Sequence, residues 1–218
     1  MAESKIEDHA KRLFKRFPEL ESISQEFHQA YSILETSFFN NGCLFVCGNG
    51  GSASDGDHIV GELMKGFALK RPLTKEISDK FEQVLGEEGK ELVPRLQMGL
   101  RAMSLNVHPA INSAYNNDVD PEMTYAQQLF VSGQVNDVFV GISTSGNSKN
   151  VLNAFKIAKV NGMKSILMTG LRGGICEKYA DCVLRSPSKE TFIIQEYHLP
   201  MYHALCLMIE EKFYGSGC

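Results

Sequence analysis

Two stretches of this chain are built from glycines, hydroxyls and amides, and each follows a short apolar run. Gly48-Asn49-Gly50-Gly51-Ser52 comes after Cys43-Leu44-Phe45-Val46-Cys47. Ser143-Thr144-Ser145-Gly146-Asn147-Ser148 comes after Val138-Phe139-Val140-Gly141-Ile142. Glycines let backbone N–H groups approach a ligand closely. A helix that starts in such a loop adds free N–H groups and a positive dipole end, so a phosphate fits there without a basic residue. One such loop by itself reads as a plain helix cap. Two of them at the carboxyl ends of strands in one parallel sheet read as a binding crevice.

Beyond the first loop, His58 and Glu62 stand four residues apart, on one face of a helix. An imidazole and a carboxylate at that spacing can share a metal ion or simply form a surface pair. Near the C-terminus come Gln195, His198 and His203. Gln195 and His203 differ by a rise of about 12 Å and a direction of roughly 80° on a straight helix. Either Pro200 bends that helix, or the two side chains serve different sites across a subunit interface. His198 and His203 also read as satisfied interior or surface histidines. Gly48-x-Gly50-x-x-Ala53 matches the dinucleotide fingerprint formally, but the next strand runs into Ser104-Leu105-Asn106 and supplies no acid for a ribose. A nicotinamide enzyme is therefore a poor second reading.

The elements that must position these residues follow from periodicity. Apolar residues from Leu13 to Phe38 recur every three or four positions, predicting helix over 5–40 with a break at Pro18. Apolar runs at 43–47, 102–105, 138–142, 165–168 and 182–184 predict strands covered on both faces. Helices are predicted over 53–67 with Ser52 as N-cap, over 147–161 and over 189–213. The segment 67–100 breaks the rhythm and reads as short helices over 76–85 and 91–100. The whole is a single α/β domain over 1–218 with a doubly wound, mainly parallel sheet. It carries an N-terminal helical segment over 1–40 and a helical insertion over 68–100.

Composition narrows the function classes. The 218 residues are 43% hydrophobic and 22% charged, which is ordinary globular material. A net charge of −4 gives no electrostatic grip on nucleic acid or on an anionic membrane. There is no apolar run long enough to span a bilayer, and the charged N-terminus lacks a signal-peptide core. Cys43, Cys47, Cys176, Cys182, Cys206 and Cys218 match no zinc-ribbon spacing and read as reduced core thiols of a cytoplasmic protein.

Taken together, three pieces resemble the sugar isomerase (SIS) domain superfamily, and within it the phosphoheptose isomerase family. They are Cys47–Ser52 with His58 and Glu62, Gly141–Ser148, and Gln195-Glu196-x-His198 with His203. The resemblance implies a flavodoxin-like fold, a homotetramer with active sites between subunits, and a zinc ion held by His58, Glu62, Gln195 and His203. It implies that a phosphorylated sugar contacts Asn49, Gly50, Gly51, Ser52, Glu62, Asn117, Asp118, Ser143, Thr144, Ser145, Ser148 and Gln195. It also implies Glu62 as catalytic base and His203 as acid, converting sedoheptulose 7-phosphate to D-glycero-D-manno-heptose 7-phosphate through an enediolate. Three departures stand out. Met64-Lys65-Gly66 replaces the family's usual Gly-Arg pair after Glu-Leu, His108 stands where an Asp is common, and the insertion is long. The alternatives are an isomerase for another sugar phosphate, or a non-catalytic protein of this fold that binds a protein partner.

Overall fold

The computed structural model describes residues 2–215; Met1 and 216–218 lie outside it, and with them the expectation for Cys218. The chain opens with α1 (Ala2–Arg16), a 3-10 segment (Pro18–Ile23) and α2 (Ser24–Phe39). The break expected at Pro18 is present and divides the N-terminal helical segment into two helices. Pro18 has no N–H to continue the ladder and instead starts the 3-10 segment. Then come β1 (Leu44–Gly48), α3 (Gly51–Met64), α4 (Lys75–Leu85), α5 (Glu87–Leu92) and β2 (Ala102–Ser104). They are followed by α6 (Pro109–Asp118), α7 (Thr124–Ser132), β3 (Val138–Ile142) and α8 (Lys149–Val160). The chain closes with β4 (Lys164–Thr169), β5 (Cys182–Arg185) and α9 (Thr191–Tyr214).

All five strands are parallel, in the order β2-β1-β3-β4-β5. The chain leaves β1 outward to β2 and returns to β3 on the other side, so the topological switch falls between β1 and β3. Those are the two strands that end in the small-residue loops. Alternate strand residues feed two cores. Leu44, Val46, Val138 and Val140 pack with α1, α2, α3 and α9, while Phe45, Cys47 and Phe139 pack with α7 and α8. Burying each such side chain contributes about 1.5–3 kcal/mol. The five cysteines within 2–215 are buried and reduced, as expected.

Three elements differ from expectation. Residues 91–100 are not a helix: α5 stops at Leu92, a 3-10 turn takes Val93–Arg95, and an extended strap follows. Pro94 interrupts the hydrogen-bond ladder. Gly99 then passes so close to α3 that a Cβ there would lie 2.3 Å from the Met64 carbonyl oxygen. Helices α6 and α7 were not anticipated. Helix α9 runs unbroken through Pro200, so the proline does not end it.

One buried ion pair joins α3 to α9. Arg71 Nε donates to Glu210 Oε1 at 2.8 Å, both side chains being essentially unexposed. The same carboxylate accepts from the backbone N–H groups of Phe67, Ala68 and Leu69. Arg71 also donates to the Leu63 and Glu62 carbonyls at the end of α3. Truncating Glu210 would strand a buried guanidinium and three N–H groups. Glu210→Ala is expected to lose about 3–5 kcal/mol of stability, measured by denaturant unfolding; a loss below about 1 kcal/mol would show that the pair holds nothing together.

Candidate active site

Both loops at the switch point are shaped by backbone demands rather than by capping. The N-cap of α3 is Gly50, at φ 57°, where only glycine is unstrained. Ser52, expected to cap, is instead buried within the first turn. Ser148 occupies the N-cap of α8 but makes no side-chain cap bond. Its hydroxyl pairs with Ser143 Oγ at 3.0 Å. The Ser52 and Ala53 N–H groups of α3 already donate to the Asn49 and Gly50 carbonyls, and the Val151 N–H of α8 to Asn150 Oδ1, which leaves those of Gly51, Lys149 and Asn150 to meet an oxyanion. Gly146, at φ 65°, lies so close to the Gly173 carbonyl that a Cβ would collide with it. Asn147 accepts from the Ile175 N–H and fastens the turn to the β4 loop. The exposed face of this turn, with Thr144 and Ser145, lines a cleft of about 380 Å³.

The two loops are tied across the switch point. Asn49 and Asn150 exchange amide hydrogen bonds at 2.9 and 3.0 Å, and Tyr125 Oη donates to the Gly48 carbonyl at 2.8 Å. Sequence reasoning missed Asn150 and Tyr125. Nothing in local spacing links them to residue 49, and both act through a contact of 76 or more positions in sequence.

Further along α3, His58 Nε2 lies 3.1 Å from Glu62 Oε1, and Lys65 Nζ donates to Glu62 Oε2 at 3.1 Å. The Lys65 departure therefore places an ammonium directly on the expected base. His203 joins this pair from α9, its ring 5.0 Å from that of His58. Its Nε2 is buried without a hydrogen-bond partner, and burial lowers its pKa below the ordinary histidine value. His203 opens on a cleft of about 240 Å³ lined also by Arg12, Arg16 and Phe67.

The remaining expected residues are placed differently. Gln195 lies against the first loop, where a Cβ on Gly51 would come within 2.7 Å of its Nε2. Gly51 and His58 are about 10 Å apart along α3, so Gln195 serves the loop end of the crevice and His203 the far end. Asn117 and Asp118 sit exposed in the last turn of α6 and bond each other at 2.8 Å. His108 bonds Gln128 at 2.7 Å in a structural role. His198 is fully buried, with Nε2 3.3 Å from the Thr169 carbonyl oxygen.

A divalent cation fits the donor chemistry here, since His58, Glu62 and His203 are adjacent and one buried imidazole nitrogen is unused. Among the described residues, however, no three His, Cys, Asp or Glu side chains already converge as a finished metal centre. In this arrangement His58 Nε2 is engaged with Glu62 instead.

A parallel sheet ordered 2-1-3-4-5, with two small-residue loops at its switch point, defines a doubly wound α/β domain with a ligand crevice between β1 and β3. The SIS domain family model matches residues 117–209. The chain is 37% identical over 194 residues to a phosphoheptose isomerase of Helicobacter pylori, covering 89% of this chain and 88% of that one. It is 33% identical over 177 residues to the phosphoheptose isomerase of Aneurinibacillus thermoaerophilus, covering 81% and 76%. Among solved structures, the phosphoheptose isomerase of Neisseria gonorrhoeae matches with a TM-score of 0.71 and 27% identity, over 96% of this chain and 99% of that one. That of Francisella tularensis matches with a TM-score of 0.73 and 26% identity, over 96% and 98%. The chain belongs to the phosphoheptose isomerase family and is a sugar-phosphate isomerase.

The buried His198 makes a pH prediction. Burial lowers its pKa from 6.5 to about 4. Between those values the unfolded chain binds the extra proton, so stability is full above pH 6.5 and is lost as pH falls toward 4. This one group accounts for about 3 kcal/mol. His198→Gln is expected to flatten the fall in unfolding midpoint across that window; an equally steep fall in the variant would contradict the assignment.

Proposed function

We propose that this isomerase interconverts sedoheptulose 7-phosphate and D-glycero-D-manno-heptose 7-phosphate, with zinc as its cofactor. The observation that carries the reading is the juxtaposition of Glu62 with the unpartnered His203 nitrogen, on two helices that both border the paired oxyanion loops. The names of the relatives supply the heptose. A homotetramer with shared sites and a cytoplasmic location belong to the same proposal. Among the described residues no helix is long and apolar enough to cross a membrane.

The chain's own groups divide the work. Ser143, Thr144, Ser145 and Ser148 hold the phosphate with the free N–H groups at the start of α8, while Asn49, Gly50, Gly51 and Gln195 border the sugar. Anchoring the remote phosphate orients the reacting carbons and concentrates binding energy where no bond changes. Glu62 removes the proton from the carbon beside the carbonyl and returns it to the neighbouring carbon. The electron pair is carried meanwhile by an enediolate. His203, kept neutral by burial, gives and takes the oxygen-bound proton without adding a charge to the site. A cation held by His58, Glu62 and His203, with Gln195 supplied by a neighbouring subunit of the proposed tetramer, would supply Lewis-acid polarisation of the carbonyl. Glu62 has a second oxygen and His203 a second ring nitrogen, so each can hold a cation and still handle a proton.

Glu62→Gln keeps the shape and removes the base. It is expected to fold with an unchanged circular dichroism spectrum, to lose turnover, and to stop washing solvent deuterium into the substrate carbon. Near-wild-type turnover in this variant would sink the assigned mechanism.

A further inference from the structure

A phosphate monoester carries a charge of about −1.5 to −2 at neutral pH. The groups assigned above to hold it, four hydroxyls and backbone N–H groups, are all uncharged. Two cations that the mechanism does not use stand on the far wall of the same turn. The cleft of about 380 Å³ that Thr144 and Ser145 line is closed by Arg172, in the loop after β4, and by Ser188 and Lys189, which lead into α9. These three loops are bonded to one another. Gly170 N–H donates to the Thr144 carbonyl at 3.0 Å, and Leu171 N–H donates to the Ser188 carbonyl at 2.9 Å. A Cβ on Gly170 would lie 2.8 and 3.1 Å from those same two oxygens, so a glycine is what lets the loops meet this closely. Arg172 follows the two donors directly, and Lys189 follows Ser188. Both cations are thereby carried on backbone fixed to the hydroxyl turn.

The donors in this cleft are unspent. Among the described residues, Arg172 and Lys189 make no ion pair and no side-chain hydrogen bond. Glu177, which lies against Gly173, is taken by Arg185. Ser145 Oγ accepts from the Asn147 N–H at 3.2 Å, and Ser188 Oγ accepts from the Glu190 N–H at 3.1 Å. Each of these hydroxyls therefore still has its own hydrogen to give. The Thr144 hydroxyl makes no hydrogen bond at all. Two cations and three hydroxyl hydrogens face one space, and no carboxylate lines it. That set suits an anion with several oxygens, since hydrogen bonds from charged donors are the strong ones.

We propose that Arg172 and Lys189 recognise the charge of the substrate phosphate, closing on its outer oxygens while Thr144 and Ser145 hold it to the turn. They make the site select a phosphorylated sugar over a neutral one. The planar guanidinium can meet two phosphate oxygens at once, and the ammonium acts as a point charge. The phosphate is remote from the reacting carbons and keeps its charge throughout the reaction. Its contacts are therefore equally strong before and during the chemical step, so removing one raises KM and leaves kcat alone. The inference rests on the placement of the phosphate under the proposed function.

The test uses the full chain and two readouts, the affinity for inorganic phosphate by calorimetry and the kcat and KM for sedoheptulose 7-phosphate. Arg172→Ala and Lys189→Ala are each expected to weaken phosphate binding and to raise KM by about 10-fold, the scale of one charge-assisted hydrogen bond. Both are expected to keep kcat within about twofold. Arg172→Lys restores the charge without the fork and is expected to recover part of the loss. Lys178→Ala removes an exposed lysine that follows the same loop but lies outside the cleft, and it is expected to change neither readout. Unchanged phosphate affinity when Arg172→Ala and Lys189→Ala are combined overturns the assignment, whether or not this sugar is turned over. A fall in kcat at constant KM overturns it too, as does an equal loss in Lys178→Ala, which would mark general surface charge. A wild-type protein that binds phosphate but does not turn over the sugar sinks the substrate reading, and the phosphate affinities of the variants then decide this one. A wild-type protein that neither binds phosphate nor turns over the sugar overturns both together.

Discussion

The site depends on a carboxylate with almost no access to water. Glu210 is 1% exposed, and it survives there because Arg71 and three consecutive backbone N–H groups surround it. A buried pair of this kind adds little net stability over apolar packing, but it tolerates only one geometry. What it specifies is the register of α3 against α9. Arg71 grips the last carbonyls of α3, and Glu210 stands two turns beyond His203 on α9. With that register set, Gln195 falls opposite Gly51, Tyr202 opposite Asp55 and His58, and His203 beside His58. The segment between α3 and β2 is fastened to the same point, through Met98 N–H to the Arg71 carbonyl and Gly66 N–H to Gln97. The long connection therefore does not loosen the end of α3 that carries Glu62.

The second constraint is topological. A parallel strand leaves its carboxyl end open, and only at a switch point do two neighbouring ends diverge enough to admit a ligand. Here those ends are β1 and β3. The amide pair between Asn49 and Asn150 holds them at one spacing. The helix starts that follow are left without side-chain caps, which costs helix stability. That cost is consistent with an anion completing the two helices.

Much of this was legible in the sequence because it is local. Continuous apolar runs gave strands within a residue or two of their positions, and small residues after β1 and β3 marked the loops. The His58–Glu62 spacing required the shared face that the structure shows. What stayed hidden depends on partners far away in sequence. Nothing near residue 202 marks Tyr202 as a neighbour of His58, and nothing near 71 pairs it with 210. Ser52 looked like a cap because its type and place suit one, yet Gly50 takes the position with a backbone angle that sequence patterns do not reveal. The strap over 96–100 looked helical from its apolar spacing, and Pro94 and the close approach at Gly99 prevented it. Pro200 suggested an interruption, but α9 continues through it, packed against α1, α2 and α3.

The central claim is that this site moves a proton between adjacent carbons of a heptose phosphate and needs a cation to do so. The most direct measurement is conversion of sedoheptulose 7-phosphate by the purified protein, first after exhaustive chelation and then with zinc restored. The account predicts no turnover after chelation and aldoheptose phosphate formation once zinc is returned. Full turnover in the chelated protein would contradict the cofactor assignment. No turnover of this sugar by folded, zinc-loaded protein would contradict the substrate.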